Sequence, residues 1–171
     1  MPSCKYPMKF ALFLALALNT LSAATLPVLE GETLAGAKLT LPAALQGKPA
    51  LLVIGFTKDS QKQTEAWSKR LKTDLPTLDI WSAADLEDAP RLIRPMIKSA
   101  MRSATPKLQH DHFLILTKGG KPLRAALSYD TRSPQNDDAY LVLIDPAGTI
   151  TWYAHGPVSD ATLTQLRQHL K

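Results

Sequence analysis

Few side chains in this 171-residue chain have the type and spacing that catalysis or metal binding requires. The only cysteine, Cys4, lies close to the start of the chain, so no dithiol can form further along it. His110 and His112 could place two imidazoles on one face of a strand, as a metal site needs. No third ligand lies near them in sequence, and His155 is the only remote candidate. We therefore predict no metal, no cofactor and no cysteine redox chemistry.

The remaining histidine of interest lies in a predicted β-hairpin near the C-terminus. Residues 140–145 and 149–155 have the pattern of strands, and the Pro-Ala-Gly sequence between them favours a tight antiparallel turn. Antiparallel pairing places His155, at the end of the second strand, beside Asp137 and Asp138, at the start of the first. The sequence thus predicts an imidazole next to carboxylates at one edge of a sheet.

Residues 1–24 have the three parts of an export signal. Lys5 and Lys9 give a positive start, residues 10–18 form an unbroken apolar run, and small residues occupy positions 22–24. The apolar run is shorter than the roughly 20 residues that span a bilayer. We predict a signal peptide over residues 1–24, a periplasmic location and a mature, cysteine-free single domain over residues 25–171. The alternative is an uncleaved membrane anchor.

The charge of the chain gives little reason to expect nucleic-acid binding. The formal charge is +5, and removal of Lys5 and Lys9 with the leader lowers it to +3. Such a mild excess does not make the basic surface that nucleic acids require.

The hydrophobic pattern alternates between strand and helix periods. Strands are predicted over residues 34–41, 50–56, 78–83, 112–117, 140–145 and 149–155. Helices are predicted from a cap at Asp59 or Ser60 to just before Pro76, and over residues 91–104, 122–127 and 160–170, the last capped by Ser159. Trp67, Trp81 and Trp152 fall at positions consistent with core packing. This order predicts an α/β domain with a central mixed sheet, helices on both faces, and a C-terminal β-hairpin plus helix.

Two motifs resemble those of a known superfamily. The sequence GKPALLVIGF at residues 47–56, followed by a helix, resembles the opening of thioredoxin-like and peroxiredoxin-like domains. LIDPAGTI at residues 143–150 resembles their late hairpin. The resemblance implies a thioredoxin-like three-layer fold.

A narrower resemblance covers residues 47–171. LIRPMI at residues 92–97, with Met101 and Arg102 after it, is similar to a segment of the mitochondrial ATPase complex assembly factor ten family. YLVLID at residues 140–145, followed by Ile-Thr-Trp and His-Gly-Pro, is similar to that family's terminal hairpin. The resemblance implies a non-enzymatic helper in membrane protein assembly, here in a bacterial exported form.

The superfamily resemblance also identifies a vestigial active site. Thioredoxin-like domains place reactive cysteines at a helix N-terminus and a cis-proline before the late strand. Here Ser60 and Gln63 lie nearest the thiol positions, and Asp138 and Ala139 stand where the proline would be. The vestigial site comprises Lys58, Asp59, Ser60, Gln63, Asp138 and His155. We expect Ser60 or Asp59 to cap the helix, with Ser60 as a nucleophile or an anion docked at the helix amides as alternatives.

The predicted second helix is basic and amphipathic. Arg91, Arg94, Lys98 and Arg102 fall within one arc, and apolar residues spread over the opposite side. One interpretation is a solvated basic face; the other is a contact surface for an acidic client or anionic lipid.

Together these patterns predict a non-redox binding protein, an assembly or chaperone-like factor for a membrane protein complex in the cell envelope. Its predicted partners are a membrane protein client or an anionic membrane surface. The alternatives are a cysteine-free hydrolase or peroxidase-like enzyme that uses Ser60 and His155, and a small-ligand binding module.

Overall fold

A computed structural model describes residues 24–170 of the chain. The strands are β1 (Ala24–Thr25), β2 (Leu29–Thr33), β3 (Lys38–Leu41), β4 (Ala50–Gly55), β5 (Asp79–Asp85), β6 (Phe113–Lys118), β7 (Tyr140–Ile144) and β8 (Thr149–His155). The α-helices are α1 (Gln61–Asp74), α2 (Arg94–Ala104), α3 (Gly120–Ala126) and α4 (Asp160–His169). Short 3₁₀ helices cover Ala43–Leu45 and Lys107–His112.

The strands form one mixed sheet in the order β1-β8-β7-β4-β5-β6-β2-β3. Strands β4, β5 and β6 are parallel, and β7 pairs with β4 in the antiparallel sense. Every residue of β4 is buried, as its continuous apolar sequence predicts for a central strand. Strand β8 is antiparallel to β7 and so runs in the same direction as β4. The three parallel strands and β8 end at the same edge of the sheet, which is called the carboxyl edge below.

Helices cover both faces of this sheet, which confirms the predicted α/β class and its mixed sheet. The face under α1 and α4 holds Trp67, Leu71, Leu163 and Leu166 together in one core. The opposite face packs against α3 through Leu123 and Leu127 and against the 3₁₀ helix at Ala43–Leu45. Because β4-α1-β5 and β5-α2-β6 are successive parallel crossovers, α2 follows α1 onto the first face.

The C-terminal hairpin turns where its sequence predicts. The Asp145 carboxylate accepts hydrogen bonds from the N–H groups of Ala147 and Thr149, at 2.9 and 2.8 Å. Gly148 has φ +87°, and a Cβ there would lie 2.5 Å from the side chain of Pro42, so glycine is required. The closing helix α4 is capped as predicted, since the Ser159 Oγ accepts from the Thr162 N–H at 3.1 Å.

Several boundaries differ from the sequence-based prediction. The first predicted strand, residues 34–41, is formed only from Lys38, and the strand β2 before it was missed. The helix predicted from residue 91 begins at Arg94. Ala24 was predicted as the last leader residue but pairs with Ile150 in β1. The rest of the predicted signal peptide lies outside the described residues.

Two of the three tryptophans are buried, and the third is partly exposed. Trp67 and Trp152 lie in the core under α1 and α4. Trp81 is only partly buried, and its indole packs against the His112 ring at 4.7 Å between centroids.

Within residues 24–170, no helix combines the length and apolar character needed to cross a membrane.

Candidate functional site

Ser60 lies in the turn between β4 and α1, immediately before the helix, and the sequence analysis matched it to a thiol position of the superfamily. It is 1% exposed, and its Oγ donates a 2.7 Å hydrogen bond to the Thr57 carbonyl. A Cβ on Gly55 would come within 2.5 Å of that Oγ, so the end of β4 must be glycine to make room for the serine. Ser60 is therefore a packed structural side chain, and its hydroxyl hydrogen is engaged in a hydrogen bond to the backbone.

The predicted cap of α1 forms in a different way. Ser60 occupies the cap position, but it has helical dihedral angles and its side chain accepts no bond from the helix. Instead, the Thr57 Oγ1 accepts from the Ser60 N–H at 3.2 Å and donates to Asp137 at 2.6 Å. Lys58 and Asp59 are exposed on the turn between these residues. The helix start is thus tied to the loop before β7 through a threonine that the sequence did not single out.

Gln63, at the second former thiol position, bridges α1 and the start of β7. Its Oε1 accepts a hydrogen bond from the Ala139 N–H at 3.1 Å, and its Nε2 donates to Asp138 Oδ1 at 3.3 Å. The other carboxylate oxygen of Asp138 lies 2.8 Å from Nδ1 of His155. The predicted pairing of Asp138 with His155 is therefore present, and Gln63 extends it into a chain of hydrogen bonds.

Aromatic rings pack beneath this chain of hydrogen bonds. The His155 ring stacks on Tyr140 at 5.0 Å, and Tyr140 in turn contacts Phe56 and Tyr129 edge to face. Burial raises the pKa of both tyrosine hydroxyls, so these phenols stay neutral over the physiological range. The rings fill the space beside the turn.

Ser60 and His155 make separate hydrogen bonds. The Ser60 hydroxyl donates to the Thr57 carbonyl, and the His155 imidazole pairs with Asp138. The structure brings Ser60, Gln63, Asp138 and His155 to one place on the carboxyl edge, as the fold resemblance implies. What it builds there is a hydrogen-bonded junction between α1 and β7.

Asp85 is a buried acid that the sequence analysis missed. It ends β5, its side chain is 1% exposed, and Oδ1 accepts a 2.9 Å hydrogen bond from the Glu87 N–H. Among the described residues, Oδ2 has no hydrogen-bond partner, and the Arg124 Nη1 lies 3.6 Å away. Burial raises the pKa of this carboxyl above its usual range. The only signal in the sequence was an acid directly after the two small apolar residues Ala83 and Ala84.

The basic side chains in and before α2 form a solvated face only in part, because Arg91 and Arg102 are exposed whereas Arg94 and Lys98 are partly buried. Arg94 donates to the carbonyls of Ala89 and Glu87 at 2.8 and 2.7 Å. Arg102 donates to the Leu34 carbonyl through two nitrogens. Lys98 lies 2.5 Å from Glu32 and is three-quarters buried. Arg91 precedes the helix and is exposed. A role of these four residues in client or lipid binding stays a prediction.

The histidine pair also differs from its predicted geometry. His110 and His112 lie in a 3₁₀ helix, where the prediction placed His112 in a strand. His110 Nε2 contacts the Thr105 carbonyl at 2.9 Å, and His112 Nε2 lies 3.4 Å from Asp79. Within residues 24–170, no group of three or more histidine, cysteine or acidic side chains could hold a metal ion.

Solved structures share this fold at low sequence identity. A SCO1/SenC family lipoprotein from Bacillus anthracis is 15% identical, with a TM-score of 0.60 over 90% of this chain and 98% of its own. BsSco, a member of the Sco family of cytochrome c oxidase assembly proteins, is 14% identical, with a TM-score of 0.57 over 86% of this chain and 94% of its own.

A third similar structure is that of a thioredoxin. The exposed lipoprotein thioredoxin Etrx1 from Streptococcus pneumoniae is 14% identical, with a TM-score of 0.55 over 82% of this chain and 98% of its own. At these identities the three structures establish the fold alone, and it is thioredoxin-like, as predicted.

The sequence itself matches a family. A search of curated proteins finds no match. The family model described as ATP10 protein matches residues 16–171, which is almost the whole chain and includes the α2 and hairpin motifs that carried the resemblance. The chain therefore belongs to the ATP10 protein family.

Proposed function

We propose that this protein is an exported, non-redox assembly factor for a membrane protein complex of the cell envelope, and that it acts by binding its client. Membership of the ATP10 family implies a role in the assembly of a respiratory or ATP synthase complex. One structural neighbour is itself a member of a family of cytochrome c oxidase assembly proteins. That this chain serves a complex of this kind is part of the proposal.

One observation carries the non-enzymatic part of this proposal. Both positions where the superfamily holds thiols are occupied by side chains that stabilise the fold: Ser60 is buried against the Thr57 carbonyl, and Gln63 holds the Ala139 N–H. A hydrolase would need Ser60 exposed and hydrogen-bonded to a base, whereas Ser60 is 1% exposed and its Oγ donates to the Thr57 carbonyl. A binding role asks for neither a thiol nor a free hydroxyl.

Deletion of the gene and native electrophoresis of the solubilised envelope membranes test the proposal. We expect less of one assembled complex, with ATP synthase and cytochrome c oxidase measured first, and full recovery with the wild-type gene. Ser60→Ala should restore assembly as well, because the hydroxyl serves only the fold. Unchanged amounts of every complex in the deletion strain would refute the assembly role. A folded Ser60→Ala protein that fails to restore assembly would favour the enzyme instead.

A further inference from the structure

Helix α2 and the turn before it leave three large apolar side chains exposed, although other residues of the helix pack towards the domain. Leu92, in the turn before it, is 94% exposed, and Met96, in its first turn, is 68% exposed. Ile93 between them is also exposed. No residue of α2 is fully buried. Leu92, Ile93 and Met96 therefore stay exposed to solvent, whereas Ile97 and Met101 are partly buried. Burying the three exposed side chains would be favourable.

The domain holds the helix by the other side. Met101 packs beside Leu34 and Ile115 on the sheet, and the arginines at both ends of the helix donate to backbone carbonyls. These contacts fix the rotation of α2 about its axis. The inward side thus holds Met101 together with the bound cations Arg94 and Lys98, and Leu92, Ile93 and Met96 are left outward.

The segment around these side chains is positively charged. Residues 91–110, here called the α2 segment, contain five basic residues and no acidic one. Within the described part of the chain, only Lys98 of the five has a carboxylate within ion-pair distance. Arg94 and Arg102 are bound to neutral carbonyls and keep their charge, and Arg91 and Lys107 are exposed. Apolar side chains thus protrude from a segment whose own charges are all positive, with the exposed acids Asp88 and Asp111 flanking it in sequence.

We infer that the α2 segment docks on an anionic lipid bilayer. Leu92, Ile93 and Met96 enter the interface between headgroups and acyl chains, and Arg91 and Lys107 contact the lipid phosphates. Exposed apolar side chains flanked by cations are the two features that interfacial binding combines. A protein partner would need a complementary cavity for leucine and methionine together with acidic groups, whereas the bilayer offers both properties without shape matching. The bilayer alone, without a client protein, is enough for this docking.

Sedimentation with vesicles tests the inference on the purified protein. We expect binding to vesicles that contain phosphatidylglycerol, weaker binding to phosphatidylcholine alone, and loss of binding as salt rises. Leu92→Ser combined with Met96→Ser should weaken binding at least about tenfold, because both side chains lose apolar burial. Arg91→Glu combined with Lys107→Glu should do so by about tenfold or more. Every protein keeps the same N-terminus, so any contribution of residues 1–24 is common to all.

Matched variants elsewhere separate this surface from general effects. Tyr153→Ser removes an exposed apolar side chain from the opposite face of the sheet, and Lys62→Glu with Lys69→Glu makes the same charge change on α1. Both should bind like the wild type. Absence of vesicle binding by the wild type would overturn the inference and leave the surface to a protein partner. Equal binding to uncharged vesicles, or α2 variants that bind like their controls, would overturn it too.

Discussion

At the scale of single residues, Gln63 joins two distant segments by hydrogen bonds. Its amide joins α1 to the start of β7 across 76 positions of sequence, and it satisfies the N–H of Ala139, which is fully buried. An unsatisfied buried N–H costs about 1–3 kcal/mol. The position that a thiol would occupy is therefore used to stabilise the junction at the carboxyl edge.

Asp85 gives the fold a pH dependence that can be measured. Because burial raises its pKa, the folded state binds more protons than the unfolded state between the ordinary carboxyl value of about 4 and the higher folded value. The free energy of unfolding therefore falls as pH rises through that range. We expect urea unfolding between about pH 4 and about pH 7 to show a smaller fall in Asp85→Asn than in the wild type.

Asp88 provides the control for this measurement. Its hydrogen bond to Arg124 lowers its pKa, so its contribution is lost only as pH falls below the ordinary carboxyl range. Asp88→Asn changes the charge by the same amount and should keep more of the slope above about pH 4 than Asp85→Asn does. Some change is expected, because Asp88 shares Arg124 with Asp85 and its charge helps to raise the pKa of Asp85. An equal slope in Asp85→Asn and the wild type would contradict the assignment to Asp85.

At the scale of elements, α2 is held by its basic residues as much as by its apolar ones. Arg102 binds the carbonyl of Leu34, a residue that is fully buried. Arg102→Ala should therefore lower the free energy of unfolding by about 1–3 kcal/mol, because the carbonyl loses a charged donor. Chemical denaturation followed by circular dichroism measures the change.

The matched substitution is Arg91→Ala, three residues before the helix. Arg91 is exposed and has no hydrogen bond or ion pair among the described residues, so its removal should change stability by less than about 0.5 kcal/mol. Equal losses in the two variants would mean that the bond between Arg102 and Leu34 does not hold the helix.

At the scale of the whole molecule, a thioredoxin-like scaffold is maintained by packing and hydrogen bonds without a dithiol. The two cores on either side of the sheet hold the layers together, and the sole cysteine lies in the predicted leader. We expect the purified protein not to accelerate the reduction of insulin by dithiothreitol, measured by turbidity. The Cys4→Ser variant should behave identically. Acceleration by the wild type that disappears in Cys4→Ser would show a thiol activity.

The sequence by itself determined the parts whose signals are local. The continuous apolar run of β4, the Asp145 and Gly148 turn, and the Ser159 cap of α4 each depend on a few neighbouring residues, and each is present in the structure. The lack of a cysteine after Cys4 and the family motifs can also be read directly from the sequence. Strand β2 was missed because its short Leu-Glu-Gly-Glu-Thr sequence has little apolar alternation and is ordered by pairing with β3 and β6.

Only the tertiary structure decided which side of α2 faces the domain. Helical spacing separates the basic residues from the apolar ones, but the carbonyls that bind Arg94 and Arg102 belong to Glu87, Ala89 and Leu34. Leu34 lies 68 positions away from Arg102 in sequence, and the tertiary fold brings the two residues into contact. The burial of Asp85 and the bridge made by Gln63 likewise depend on distant segments. Amphipathic spacing defines two faces, and the position of hydrogen-bonding groups in space determines which one is turned outward.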